Sequence, residues 1–178
     1  LHIGLHRHGQ FPSRLQALGR HGSIAISDMQ DTLIKVALGP ILLLQGVYTR
    51  KVTPKLPEPE GARQGITGQG PALRLLVLGD SAAAGVGVDH QSEALTGQLV
   101  QQLAAHHQVS WTLLAQTGHN TQQVLAMLQD HGDDLFDVAV VSAGVNDVTS
   151  SVKADHWIGQ QQNLVDVLQQ RFGVKHIV

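Results

Sequence analysis

The sequence contains no cysteine, and only 3% of its 178 residues are aromatic. Without thiols the chain has no disulfide framework, no thiolate zinc cluster and no cysteine nucleophile. The scarcity of Phe, Trp and Tyr argues against aromatic platforms on which the bases of a nucleic acid would stack. The core must therefore be built mainly from aliphatic side chains.

Charged residues are also scarce, at 15% of the chain against the roughly 25% usual for soluble proteins. Twelve Lys and Arg face fourteen Asp and Glu, which gives a formal net charge of -2. No basic stripe stands out that could neutralise a run of phosphates, so we expect no nucleic-acid partner. The 42% of hydrophobic residues is enough to bury one sizeable core, which predicts one main domain.

Residues 1–28 mix His, Arg and Gly without a sustained period, and we expect them to be disordered or to be translated from upstream of a start at Met29. Their histidines His2, His6 and His8 have no fixed frame, so they predict no metal site.

Residues 29–52 include an apolar stretch, 32–48, with Gly39 and Pro40 near its middle. Two interpretations stay open: a packed helix broken at Gly39-Pro40, or a membrane anchor close to the lower length limit. No clear cleavage site follows this stretch, so a cytoplasmic or membrane-associated location is favoured over secretion.

The segment 53–71 is rich in Pro and Gly and has no apolar period, which predicts a linker. From residue 72 onward, short apolar runs alternate with amphipathic stretches. Strands are predicted at 73–79, 109–116, 137–144 and 174–178, with helices at 92–107, after an N-cap at Asn120, and around 157–168. This order predicts an α/β fold of three layers, a parallel sheet covered by helices on both faces, over residues 72–178.

Three loops follow the predicted strands, and they carry small or polar residues. In an open parallel sheet such loops meet at one edge, so Ser81, Gly118 and Asn146 should converge there. The turn at Gly79-Asp80 would lift the Ser81 hydroxyl out of the sheet as a nucleophile. The backbone N–H groups of Ser81 and Gly118 and the side-chain amide of Asn146 could then hold the oxyanion of an acyl-transfer intermediate.

The segments Leu78-Gly79-Asp80-Ser81 and Gly144-Val145-Asn146-Asp147, with Gly118 between them, resemble the conserved blocks of the SGNH, or GDSL-like, hydrolase family of esterases and acylhydrolases. The resemblance covers 72–178. It implies a flavodoxin-like fold, a Ser81 nucleophile, oxyanion donors at Ser81, Gly118 and Asn146, and supporting roles for Asp80 and Asp147. It further implies a small-molecule or lipid ester as substrate, with no cofactor and no metal.

One feature of that family is missing, namely the final Asp-x-x-His block whose His activates the serine. We therefore expect a C-terminally truncated domain that is nearly inactive alone, because serine without a base is a weak nucleophile. His90 and His119 follow two of the loops, but a solvent-exposed loop role is favoured for both.

Three alternatives are weighed against an active esterase. A phosphate or nucleotide binder is disfavoured, because the first loop has neither a Lys-Ser nor a Lys-Thr pair and its glycines do not give the spacing GxGxxG. A catalytically dead binding module and a truncated fragment without function both remain open. The sequence does not indicate an oligomeric state.

Overall fold

The computed structural model describes residues 38–49 and 51–178. The predictions for residues 1–28, and for the first part of the apolar stretch 32–48, lie outside the described residues. The chain divides into two units, with the boundary after Pro54. Each unit is considered by itself below.

In the first unit, residues 38–49 are helical and form α1. Gly39 and Pro40 lie in the first turn of the described helix, and the residues before Leu38 lie outside the described residues, so the predicted break at Gly39-Pro40 stays a prediction. Proline fixes φ near the helical value, and the chain after it can therefore continue as a helix. Apolar side chains of α1 are exposed, among them Leu43 and Leu44 at 70%. Within the described ranges, no helix has the length and the hydropathy that a membrane crossing requires.

The second unit contains a five-stranded sheet with the strand order β1-β3-β2-β4-β5. The strands are β1 Gln64–Thr67, β2 Ala72–Gly79, β3 Gln108–Ala115, β4 Val138–Ser142 and β5 His176–Ile177. Strands β2 to β5 are parallel, whereas β1 pairs antiparallel with β3. The sheet is thus mixed rather than parallel throughout, and it extends into the segment 53–71 that the composition favours as a linker. An edge strand depends on backbone pairing more than on a buried face, so its sequence lacks an apolar period.

Helices cover both faces of this sheet. They are α2 Ser81–Ala84, α3 Leu95–Leu103, α4 Thr121–Gln129, α5 Val145–Thr149 and α6 Ala154–Gln170. Helix α3 is shorter than the predicted 92–107, because the Gln91 backbone N–H and side-chain amide bind Glu60 and Ala84 in a turn before the helix. At α4 the predicted N-cap is confirmed: Asn120 and Gln123 exchange two hydrogen bonds of 3.0 Å in a capping box.

The core lies on both sides of β2, whose side chains alternate between the two faces. Leu75 and Val77 pack on the face covered by α2 and α3, and Leu76 and Leu78 pack on the face covered by α4 and α6. All four are at most 1% exposed. Burying a side chain of this size contributes about 1.5–3 kcal/mol to stability. The structure therefore confirms the three-layer α/β architecture.

At the amino-terminal edge of the sheet, an ion pair joins β2 to the residue before β4. The Arg74 guanidinium donates to both carboxylate oxygens of Asp137, at 3.0 and 2.8 Å, and the Arg74 backbone N–H donates a third bond of 3.0 Å. The hydrogen bonds from the Arg74 side chain lower the pKa of Asp137 from 3.8 to about 2. Lys175 adds a positive charge 3.9 Å from the same carboxylate. The charged groups at this edge, Arg74 and Asp137, are therefore paired with each other.

Candidate active site

The three loops predicted to carry the chemistry leave the sheet from one edge. In the register of the parallel strands, Gly79 at the end of β2 lies between Ala115 of β3 and Ser142 of β4. Two backbone hydrogen bonds continue this row: Asp80 N–H donates to Ser142 at 3.0 Å, and Gln116 N–H donates to Gly79 at 3.2 Å. All three strand ends therefore lie side by side.

The first loop is a single tight step from β2 into α2. A Cβ on Gly79 would overlap the Ser142 carbonyl oxygen, so only glycine fits at this strand end. Asp80 is 3% exposed and caps α2, because its Oδ1 accepts a 3.0 Å bond from the backbone of Ala82. The next residue, Ser81, opens the helix and is half-buried.

The second loop turns sharply at Gly118, which has φ +86°. This left-handed conformation favours glycine, since other residues are strained there. A Cβ at Gly118 would meet no heavy atom within 4 Å, so open space surrounds this backbone position. The conformation of the turn therefore accounts for this glycine.

Glu58 holds the second loop in place, and nothing in the sequence pattern indicated this residue. Its Oε1 accepts bonds from the Thr117 backbone N–H at 2.6 Å and from the Thr117 hydroxyl at 2.8 Å. Its Oε2 pairs with Arg63 at 2.8 Å, and Arg63 also donates to the carbonyl oxygen of Ala115. Glu58 thus fixes the residue immediately before Gly118. It lies in the segment whose composition suggests only a linker.

Two opposing effects set the pKa of Glu58. Burial raises it, but the hydrogen bonds from Thr117 and Arg63 and the charge of Arg63 together outweigh burial, and the pKa lies below its ordinary value of 4.5. At neutral pH the group is a carboxylate that accepts bonds from the loop.

In the third loop, Asn146 connects all three strand ends. It lies in α5, which begins after Gly144, and it is half-buried. Its Nδ2 donates a 2.9 Å hydrogen bond to the backbone oxygen of His119, the residue after Gly118. The same nitrogen is 3.5 Å from Oδ2 of Asp80, the residue before Ser81. The structure therefore brings the neighbours of Ser81 and Gly118 into contact with one carboxamide.

Asp147 fixes α5 against the start of α4. It is 2% exposed, and its Oδ2 accepts bonds from the Thr121 backbone N–H at 2.9 Å and from the Thr121 hydroxyl at 2.8 Å. Gln161 of α6 in turn donates to that hydroxyl at 3.0 Å. Because Asp147 follows Asn146 directly, this network positions the carboxamide.

Two backbone donors at this edge remain unpaired. Within residues 51–178, neither the Ser81 N–H nor the Gly118 N–H donates a hydrogen bond to another protein atom. Ser81 opens α2 and Gly118 lies in a turn, and neither position has a partner in a regular element. Both N–H groups are therefore free to donate to a ligand.

Two other expectations concern histidine and metal ions. No imidazole is hydrogen-bonded to Ser81 among the residues that the structure describes. His119 lines a depression beside α4 with Met127 and His131, whereas His90 lies near α3. In the described ranges, His, Asp and Glu side chains form no group of three that could hold a metal ion.

Comparison with known proteins agrees with this arrangement. The model of the GDSL-like lipase/acylhydrolase family matches residues 77–178, which is more than half of the chain. The esterase AlinE4, described as an SGNH-hydrolase family esterase, superposes with a TM-score of 0.51 at 22% identity, covering 60% of this chain and 58% of that one. A point mutant of the same esterase gives 0.54 at 23% identity, covering 61% and 59%.

At these identities the two structures show a shared fold, and this chain spans about three fifths of their length. No curated protein sequence matches the chain. The family match includes the last three residues of β2 before Asp80 and Ser81, the turn at Gly118 and the loop of Asn146. The chain belongs to the GDSL-like lipase/acylhydrolase family.

Proposed function

We propose that this edge of the sheet is the acyl-transfer site of an ester hydrolase. The Ser81 hydroxyl oxygen attacks the ester carbonyl carbon while its proton passes to a base. The carbonyl oxygen becomes an oxyanion held by the N–H groups of Ser81 and Gly118 and by the Asn146 amide. Collapse breaks the bond to the alcohol oxygen, which takes the proton from the base, and leaves an acyl group on Ser81. Water then gives a proton to the base, attacks the acyl carbon and releases the acid as Ser81 regains its proton.

One observation carries this proposal, namely the position of the Asn146 carboxamide. Its Nδ2 contacts both the residue before Ser81 and the residue after Gly118. These two contacts support the proposal that groups from three distant parts of the chain act on one oxygen. Preorganised donors of this kind stabilise a transition state because they need no reorientation when the charge forms.

The hydrogen bonds of Asn146 leave one of its N–H bonds open to a substrate. The bond to His119 at 2.9 Å has ordinary length, and it orients the amide plane. The contact with Asp80 at 3.5 Å lies beyond the usual range for an N–H···O bond, so it holds the second hydrogen weakly. We infer that the oxyanion competes with Asp80 for this weakly held hydrogen.

The surface around Asn146 favours an ester with an apolar part. Val145 is 71% exposed and Val148 is 79% exposed, and both lie on the same short helix as Asn146. A hydrocarbon chain can cover these side chains and gain from their removal from water. A small-molecule or lipid ester meets this condition.

The described residues supply a nucleophile and oxyanion donors but no base. Serine at its free pKa is a weak nucleophile, so we propose that this chain alone hydrolyses esters at a rate close to background. A small base from solution can take the place of a missing side chain. Imidazole in the buffer should therefore produce hydrolysis of p-nitrophenyl acetate that depends on Ser81.

The test compares the chain with Ser81→Ala and Asn146→Ala across a series of imidazole concentrations. Imidazole also cleaves the ester directly, and the Ser81→Ala variant measures that contribution. The expected result is an additional rate that saturates with substrate in the unchanged chain and is absent from Ser81→Ala. Equal rates for both proteins at every imidazole concentration would leave a catalytically dead binding module as the better description.

A further inference from the structure

A second cavity lies away from the candidate active site, between α3, the edge strand β1 and the start of β3. Its volume is about 600 Å³, within the usual range for small-molecule sites. The residues that define it are Thr67, Gln91, Thr96, Val100, Ala104 and Trp111. None of the three proposed oxyanion donors lines it. It is therefore separate from the site of acyl transfer.

Three polar atoms in the cavity lining are buried and have no hydrogen-bond partner in the described part of the chain. They are Gln91 Oε1, Thr96 Oγ1 and Trp111 Nε1. Gln91 is 5% exposed and Thr96 is 1% exposed. Leaving such groups unpaired costs about 1–3 kcal/mol each in a folded protein. Three such atoms belong to residues that line one cavity, and they are the polar groups there that a ligand could pair with.

The cavity wall is fixed by backbone contacts. Gln91 N–H donates to Glu60 at 2.8 Å, and the Gln91 Nε2 donates to Ala84 at 2.9 Å. This second bond orients the amide and leaves its oxygen as a free acceptor. A Cβ on Gly97 would overlap the carbonyl oxygen of Gln91. Only glycine at position 97 therefore lets the turn before α3 pack this closely against the helix.

The chemistry of the lining defines the ligand. Gln91 offers an acceptor, Trp111 a donor and Thr96 a hydroxyl that can do either. Between them the surface is apolar, from Val100 and Ala104 among others. Neither Lys nor Arg lines the cavity, and the exposed Glu60 and His90 are its titratable lining residues, so the carboxylate of Glu60 disfavours an anion.

We propose that this cavity binds an uncharged small molecule with an apolar body and a hydroxyl group that pairs with Thr96, Gln91 and Trp111. The hydroxyl donates to the amide oxygen of Gln91 and accepts from the indole N–H or the threonine hydroxyl. The binding site does not depend on the esterase chemistry. It contacts the end of α2, the helix that Ser81 opens, through the hydrogen bond from Gln91 to Ala84.

Benzyl alcohol is a suitable probe, and toluene and benzoate are its controls. Toluene lacks the hydroxyl group, and benzoate carries a negative charge on a similar ring. The chain has two tryptophans, so its ¹H–¹⁵N spectrum contains two indole N–H signals, which a Trp157→Phe variant assigns. The exposed Trp157 reports non-specific binding, whereas Trp111 reports the cavity.

The expected result is a saturable shift of the Trp111 indole signal with benzyl alcohol, with a Kd on the order of millimolar for so small a molecule. The Trp157 signal should move little. Toluene should bind at least fivefold more weakly, and benzoate should not bind measurably. Equal affinity for toluene and benzyl alcohol, or equal shifts of both indoles, would overturn the proposal.

Thr96→Val tests the role of the hydroxyl directly. It should weaken benzyl alcohol binding by about fivefold while the Tm stays constant or rises, because an unpaired buried hydroxyl is lost. Thr112→Val is the matched control outside the cavity, and it should leave the affinity unchanged. A Tm that falls only in Thr96→Val would show that the hydroxyl already has a protein partner, and the assignment would be wrong.

Ala104→Leu gives a second test that changes no polar group. The larger side chain occupies part of the cavity, so benzyl alcohol should bind at least tenfold more weakly. Ala104 is partly exposed at the end of α3 but packs against the core, so the Tm of the variant is measured together with its affinity. Unchanged affinity in Ala104→Leu would place the probe elsewhere on the molecule.

Discussion

The polar groups at the amino-terminal ends of the strands are paired, whereas some of those at the carboxyl-terminal ends are unpaired in the part of the chain that the structure describes. At the amino-terminal edge, Arg74 and Asp137 satisfy each other with three hydrogen bonds, and the pKa of Asp137 falls to about 2. At the carboxyl-terminal edge, carboxylates and amides hold the loops together, but the N–H groups of Ser81 and Gly118 have no partner in residues 51–178. A closed polar network stabilises the fold, whereas the unpaired donors are available for the oxyanion that we propose.

Removing a donor at the carboxyl-terminal edge should have the largest effect. Asn146→Ala should lower the imidazole-supported, Ser81-dependent hydrolysis about a hundredfold or more, to the level of Ser81→Ala. The exposed Asn163 provides a matched control, and Asn163→Ala should retain the full rate. A loss below threefold in Asn146→Ala, with a native circular dichroism spectrum, would mean that this amide does not hold the oxyanion.

Breaking the buried network beside that donor should mainly lower stability. Asp147→Ala leaves the Thr121 N–H and hydroxyl without their acceptor, and we expect the free energy of unfolding to fall by about 3 kcal/mol. Urea denaturation measures this change. Asp155, exposed in the first turn of α6, gives the control, and Asp155→Ala should cost less than about 1 kcal/mol. Equal losses of unfolding free energy in Asp147→Ala and Asp155→Ala would mean that Asp147 does not position Asn146.

A change at Glu58 should lower both the rate and the stability, because Glu58 holds the Gly118 loop but does not contact a substrate. Glu58→Gln weakens the charge-assisted bonds to Thr117 and Arg63, and we expect a loss of about 1.5 kcal/mol in stability. The imidazole-supported rate should also fall several-fold, because the loop is less well positioned. Glu93→Gln, at an exposed position, is the control. Full activity with reduced stability would show that Glu58 serves the fold alone.

The smallest effect is expected at the amino-terminal edge. Asp137→Asn should lower stability by about 1 kcal/mol at pH 7 and leave the imidazole-supported rate unchanged. The folded pKa of Asp137 lies below its ordinary value of 3.8, so its stabilisation is complete above that value and is lost as the pH falls towards about 2. Denaturation curves of the two proteins should therefore converge between pH 4 and about 2. A constant difference across this range would contradict the assigned pKa.

Much of the fold was predictable from the sequence, because it depends on local patterns. The alternating apolar runs predict β2, β3 and β4, and the pair Asn120 and Gln123 predicts the start of α4. Strand β1 was not predictable from its own residues, because its stability comes from pairing with β3 at a distant point of the chain. Contacts between separate parts of the chain also explain why the start of α3 was misplaced, because Gln91 binds Glu60 and Ala84 in the turn before the helix.

The residues of the candidate active site were predictable in part from the sequence. Ser81, Gly118 and Asn146 follow strands, and a parallel sheet brings its strand ends together. Glu58 could not be found in this way, since its contact with Thr117 joins residues far apart in sequence. The second cavity was equally hidden, because its polar atoms come from a loop, a helix and a strand.

A crystal structure of the chain after reaction with p-nitrophenyl ethylphosphonate in the presence of imidazole would test the central claim most directly. The phosphonyl group takes the tetrahedral shape of the acyl-transfer intermediate. The account expects phosphorus bonded to Oγ of Ser81, with one phosphonyl oxygen about 3 Å from the Ser81 nitrogen, the Gly118 nitrogen and Nδ2 of Asn146. Phosphorus on another side chain, or an oxygen that faces solvent with these three nitrogens out of reach, would contradict it.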